Sequence, residues 1–157
     1  IGSYKLLYSI YDKLETLLND NMDYWLQRAK SIYRRGNISL KDLQNAYRYA
    51  YKAYSDGNVR LRAKSALTLS LVSCMITKYV NNDEYRNFQE RAIEYAYEAI
   101  TSEFYEHKDN FKNVLDGEKR RAYENMILST CTETLEYCDN ELACKIGRIR
   151  KKFDFRE

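Results

Sequence analysis

The sequence predicts an all-α fold, a right-handed array of about three antiparallel helix hairpins with one extra helix at the N-terminus. Three observations lead there. Residues 45–54, NAYRYAYKAY, are echoed by residues 91–100, RAIEYAYEAI, so that Ala46, Tyr49, Ala50, Tyr51 and Ala53 recur as Ala92, Tyr95, Ala96, Tyr97 and Ala99 at one constant offset. The alanines of each copy fall on one stripe of an α-helix, and a small-residue stripe lets a neighbouring helix come close. There is no proline and there are only five glycines, a composition that long uninterrupted helices need. No stretch alternates apolar and polar residues as a half-buried strand would.

The first helical segment is expected over about residues 4–18, where Leu7, Ile10, Tyr11, Leu14, Leu17 and Leu18 recur at helical spacing. The second covers about 22–35 and ends at Gly36-Asn37, with the glycine suited to the left-handed position that closes a helix. Ser39 reads as the N-cap of the third, with Asp42 three residues on, and that helix runs to Ser55 and stops at Gly57. The fourth, from Asn58 to about Val80, contains the longest uncharged run, Ser65 to Thr77. That run is too short to span a bilayer and reads as a central, well-buried helix. The fifth starts near Asn82-Asp83 and reaches about Tyr105. An irregular stretch, 106–117, separates it from the sixth (about 118–137) and the seventh (about 140–152).

Paired in order, these segments give one domain: residues 1–21 as a capping helix, 22–57 as a first hairpin, 58–106 as a second and 118–153 as a third. Ala29, Ala66 and Ala122 are the expected small contact residues on the first helix of each pair. In the seventh helix Ala143, Gly147 and Arg150 repeat the stripe spacing, and the mid-helix Gly147 predicts a close helix contact or a frayed end.

With that pattern in view, the chain resembles the tetratricopeptide-repeat (TPR) superfamily, whose two-helix unit carries small and large residues at set places. Trp25, Ala29 and Ile32 match large, small and large places of the first helix of a unit, and Ala46 and Ala53 match small places of the second. In the second unit Ala66, Leu69, Ala92 and Ala99 match likewise. The family's proline after the second helix is absent, Ala50 and Ala96 stand where an aromatic is usual, and the units are longer than its period. DYWLQRAKSIYRRG followed by an alanine-rich helix also resembles, weakly, the C-terminal helical repeats of large bacterial STAND-type ATPases and sirtuin-like defence proteins. Both likenesses imply a non-enzymatic scaffold that binds a protein or peptide, as the docking or sensing region of a larger protein. The start at Ile1-Gly2-Ser3, without methionine, is read the same way, as a processed or excised piece.

Hydrophobic residues make up 45% and charged residues 31%, enough for both a core and a solvated surface. The net charge of +3 is too small to imply nucleic acid by itself. Cys74, Cys131, Cys138 and Cys144 show no paired spacing, so a reducing, cytoplasmic setting is expected, with the cysteines as small apolar filler. No glycine-rich phosphate loop or zinc-ligand spacing occurs, and the single histidine, His107, stands apart from other acid–base candidates. No catalytic residue, metal or cofactor is expected, and no membrane contact.

Two features remain for binding. The resemblance implies that the first helix of each pair lines a concave groove. This gives Lys30, Tyr33 and Arg34 from the first unit, Arg60, Ala63 and Lys64 from the second, and Lys119, Arg120 and Tyr123 from the third. Cations facing one groove favour an acidic peptide or carboxylate, although ordinary solvated charges explain them equally well. The family's carboxylate clamp also needs aligned asparagines, which are absent. The second feature is the basic C-terminal run, with Lys145, Arg148, Arg150, Lys151, Lys152 and Arg156 beside an apolar face of Ile146, Ile149 and Phe153. It reads as a docked terminal helix or, alternatively, as a nucleic-acid-binding helix.

Overall fold

The computed structural model describes residues 5–11, 21–104 and 117–154, with the side chains of 117–120 and 154 outside the description. Every regular element among the described residues is helical and none is a strand. The helices are α1 (residues 5–11), α2 (Met22–Tyr33), α3 (Leu40–Asp56), α4 (Val59–Ile76), α5 (Asn82–Thr101), α6 (Gly117–Thr134) and α7 (Asn140–Asp154). None is long and apolar enough to cross a membrane.

The helix starts follow from local side-chain chemistry. Asn21 accepts from the backbone N–H groups of Asp23 and Tyr24 at 3.1 and 3.3 Å, satisfying donors that the first turn leaves unpaired. Ser39 and Asp42 form a reciprocal capping box, and Arg35 reaches back to bond the Asp42 carboxylate. Asn58 and Asp139 cap α4 and α7 by accepting from Leu61 and Leu142, each at 2.9 Å. After α2 it is Asn37 (φ 58°), not Gly36, that takes the left-handed conformation. Gly57 closes α3 for a different reason, since a Cβ there would stand 2.4 Å from the Ala53 carbonyl oxygen.

Packing proceeds along the chain. α2 lies on α3, α3 on α4, and α4 on α5; α6 sits against α5 and α4, and α7 against α5 and α6. Both alanine stripes are at these contacts, with Ala46, Ala50, Ala53, Ala92 and Ala96 fully buried. The approach is close enough for the Ser70 hydroxyl, in the middle of α4, to donate to the Ala92 carbonyl at 2.6 Å. The repeat-related helices α3 and α5 are also tied to each other. The Tyr47 and Tyr95 hydroxyls meet at 3.1 Å, and Tyr54 donates to Glu98 at 2.5 Å.

α4 is buried without a break from Ser65 to Ile76, the central position that its uncharged run predicts. α7 presents Leu142, Ile146, Ile149 and Phe153 to the core. The Ala143/Gly147/Arg150 stripe does not make that contact. Gly147 is exposed, with nothing within 4 Å of where its Cβ would stand. Ala122 is likewise exposed rather than a buried contact residue. The apolar residues decide the face, because burying a large aliphatic side chain stabilises by about 1.5–3 kcal/mol and a small-residue stripe offers no comparable gain.

Candidate functional site

α2 and α4 both pack on α3 and also touch each other, which brings their charged residues together. Lys30 and Arg34 lie one turn apart on α2, and Lys64 on α4 comes close enough to act on Lys30. Lys30 is only 8% exposed. Its ammonium is pushed down to about 8, first by burial and then by the positive charges of Arg34 and Lys64, with Asp23 the opposing influence. Lys64 and Arg60 are exposed at the N-terminal end of α4, where the Arg60 guanidinium stands 4.8 Å from the centre of the Phe104 ring. No acidic partner of Arg34, Arg60 or Lys64 occurs among the described residues. The result is a cluster of four cations, Lys30, Arg34, Arg60 and Lys64, where α2 meets α4.

Tyr33 and Tyr123 come together instead. Their rings meet edge to face with centres 5.7 Å apart, and both are buried, at 4% and 8% exposure. Burial raises the Tyr33 phenol above its ordinary value. This pair joins α2 to α6, so the two tyrosines are spent on each other rather than standing free on a surface. Ala63 is buried. Lys119 and Arg120 belong to helical backbone, but their side chains lie outside the described residues, as does His107.

Two constellations escaped the sequence reasoning. One is a cation–aromatic cage. Arg28 is 7% exposed, and its guanidinium stands 4.3 Å from the Tyr49 ring centre and 5.8 Å from that of Trp25. Arg48 lies 4.7 Å from Tyr49 and Lys52 5.5 Å from Trp25. The helical spacings Trp25/Arg28 and Arg48/Lys52 were available as a signal. The other is a cleft where α2 and α4 end, lined by Arg34, Arg35, Lys78, Tyr79, Tyr123 and Met126 among others. Lys78 and Tyr79 sit in the turn after α4, which pattern reading treats only as punctuation.

On the basic C-terminal helix the charges are partly engaged. Lys145 bonds Glu94 at 2.6 Å, and Arg150 donates to the Thr132 hydroxyl at 3.0 Å. Arg148, Lys151 and Lys152 are exposed, and Arg156 lies outside the described residues. The Cys74 thiol is pushed up to about 12 by burial, a setting that suppresses thiolate chemistry. Among the described residues no group of three or more His, Cys, Asp or Glu side chains is placed to hold a metal ion. No family model, curated protein or solved structure matches this chain.

Proposed function

We propose that this chain is a TPR-like helical scaffold, the docking region of a larger protein, whose basic cluster where α2 meets α4 binds an acidic protein segment. The stacking of α2 on α3 and of α4 on α5 in chain order, with buried alanines at those contacts, supports the repeat likeness, whereas α7 leans on α5 more than on α6. The single observation that carries the binding reading is the like-charge cluster of Lys30, Arg34 and Lys64, opposed only by Asp23. Holding a buried ammonium beside two further cations is unfavourable in the free protein, and an incoming carboxylate relieves it. Arg60, one turn before Lys64, extends the same edge.

The test is fluorescence anisotropy with a labelled oligoglutamate peptide and, separately, a labelled single-stranded oligonucleotide, each at low and moderate salt. Arg60→Glu with Lys64→Glu should weaken the peptide by about tenfold or more, on the scale of charge-assisted bonds. Arg148→Glu with Lys151→Glu should leave peptide binding unchanged. Loss only in the α7 variant, with oligonucleotide binding that falls steeply with salt, would move the function to nucleic acid.

A further inference from the structure

We propose that the cleft at the C-terminal ends of α2 and α4 is a separate binding site for a small organic oxyanion, a phosphate or carboxylate carried on a ring-sized apolar body. This goes beyond the docking of an acidic segment: the cleft lies at the other end of α4 and shares only Arg34 with the basic cluster of Lys30, Arg34 and Lys64. The cleft holds about 390 Å³, inside the range of roughly 300–1,000 Å³ typical of small-molecule pockets. Its lining includes Arg34, Arg35 and Lys78 and contains no carboxylate. Leu43, Met75 and Met126 supply an apolar floor, and Tyr33, Tyr79 and Tyr123 bring aromatic rings. One wall is fixed, because the Tyr79 hydroxyl donates to the Ile38 carbonyl at 2.6 Å and ties the turn after α4 to the loop before α3.

Charge accounting favours an anion. Arg35 is neutralised by Asp42. Two helix C-termini approach the cleft and each contributes a partial charge of about −0.5. Against these stand Arg34 and Lys78, leaving a net positive charge of about one. Nor is the Arg34 guanidinium spent on the helix end. Its Nε and Nη2, the side-on edge that matches two oxygens of a carboxylate or phosphate, have no acceptor in the protein; they are closed to water in the free molecule, so the side chain turns to present them to the ligand. Inorganic phosphate alone would leave the apolar floor unused, so the ligand carries a body as well as a charge.

Isothermal titration calorimetry with phenyl phosphate, benzoate, inorganic phosphate and benzyl alcohol tests this. Phenyl phosphate or benzoate should bind below about 1 mM, with inorganic phosphate and neutral benzyl alcohol at least about tenfold weaker. Tighter phenyl phosphate assigns the oxyanion as phosphate, and parity or preference for benzoate assigns it as carboxylate; either upholds the site. Lys78→Ala removes an exposed cation and Ala122→Trp fills the exposed rim without touching a charge. Each should weaken binding by about tenfold. Lys64→Ala, in the basic cluster, should leave it unchanged. The proposal is overturned by no binding of either aryl anion at millimolar concentration, by inorganic phosphate binding as well as phenyl phosphate, or by unchanged affinity in Ala122→Trp. A loss in Lys64→Ala equal to that in Lys78→Ala would also overturn it, by placing the anion at the basic cluster.

Discussion

At the scale of single residues, Lys30 is where the sequence-derived groove and the folded environment collide. Its side chain is buried while its charge feels Arg34 and Lys64. The folded value, about 8, lies below the ordinary 10.5, so between those values the unfolded chain holds the proton that the folded one has released. Stability therefore rises with pH through that window, and the full penalty applies below it. Lys30→Met keeps a flexible stem and removes the charge. It should raise stability near pH 7 by on the order of 1–3 kcal/mol, an advantage that shrinks away towards pH 10.5. Urea midpoints across the window decide it, and an equal gain at every pH would mean that packing rather than charge is responsible. The same linkage gives a sign for docking. An acidic segment at the cluster raises the Lys30 value, so binding near pH 8 should take up a proton, visible as a dependence of the binding heat on buffer ionisation enthalpy.

At the scale of helices, the sequence-derived boundaries agree with the structure to within a few residues at the capped starts, since Ser39, Asn58 and Asp139 cap through their own side chains and need no distant partner. Packing faces were legible where the pattern was large. The alanine repeat correctly marks the buried seams of α3 and α5, and Ile146, Ile149 and Phe153 correctly mark that of α7. Gly147 misled because a missing side chain looks the same in sequence whether a neighbour fills the space or water does. These cases predict opposite signs. Ala50→Leu and Ala96→Leu should each lower stability by about 1–3 kcal/mol through overpacking. Gly147→Ala should raise it by up to about 1 kcal/mol, since the helix gains propensity and the new methyl meets nothing. Thermal or denaturant melts check all three, and unchanged midpoints in both leucine variants would remove the seam from the account of the fold.

At the scale of the whole molecule, what could not be read from the sequence depends on helices far apart in the chain. The Tyr33–Tyr123 contact, and the meeting of Arg34 with Lys78 and Tyr79 in one cleft, follow from how α2, α4 and α6 converge, which no local pattern encodes. The sixteen tyrosines acquire a similar long-range role. Tyr47 with Tyr95 and Tyr54 with Glu98 tether α3 to α5, Tyr85 with Glu133 tethers α5 to α6, and Tyr137 donates to Gln89 at 2.6 Å. Tyr54 is pushed up to about 12 by burial and by its bond to Glu98, and Tyr85 to about 12 by its bond to Glu133 and by burial. Burial and the bond to Tyr47 raise Tyr95 as well. For a phenol whose folded value lies above the unfolded 10.0, the stabilisation is fully present below pH 10 and is lost as pH rises through the folded value. The chain should thus gain stability from Lys30 as pH climbs above about 8, pass a maximum near pH 10, and then lose it towards pH 12. Each tyrosinate formed beside Glu98 or Glu133 adds repulsion where a hydrogen bond stood. Tyrosinate absorbance and far-UV circular dichroism followed together should show the tethered phenols ionising only as the helices melt. Tyr54→Phe with Tyr85→Phe should be less stable than the parent at neutral pH but fall less steeply above pH 10. Identical slopes for parent and double variant would show that these tethers do not set the alkaline limit of the fold.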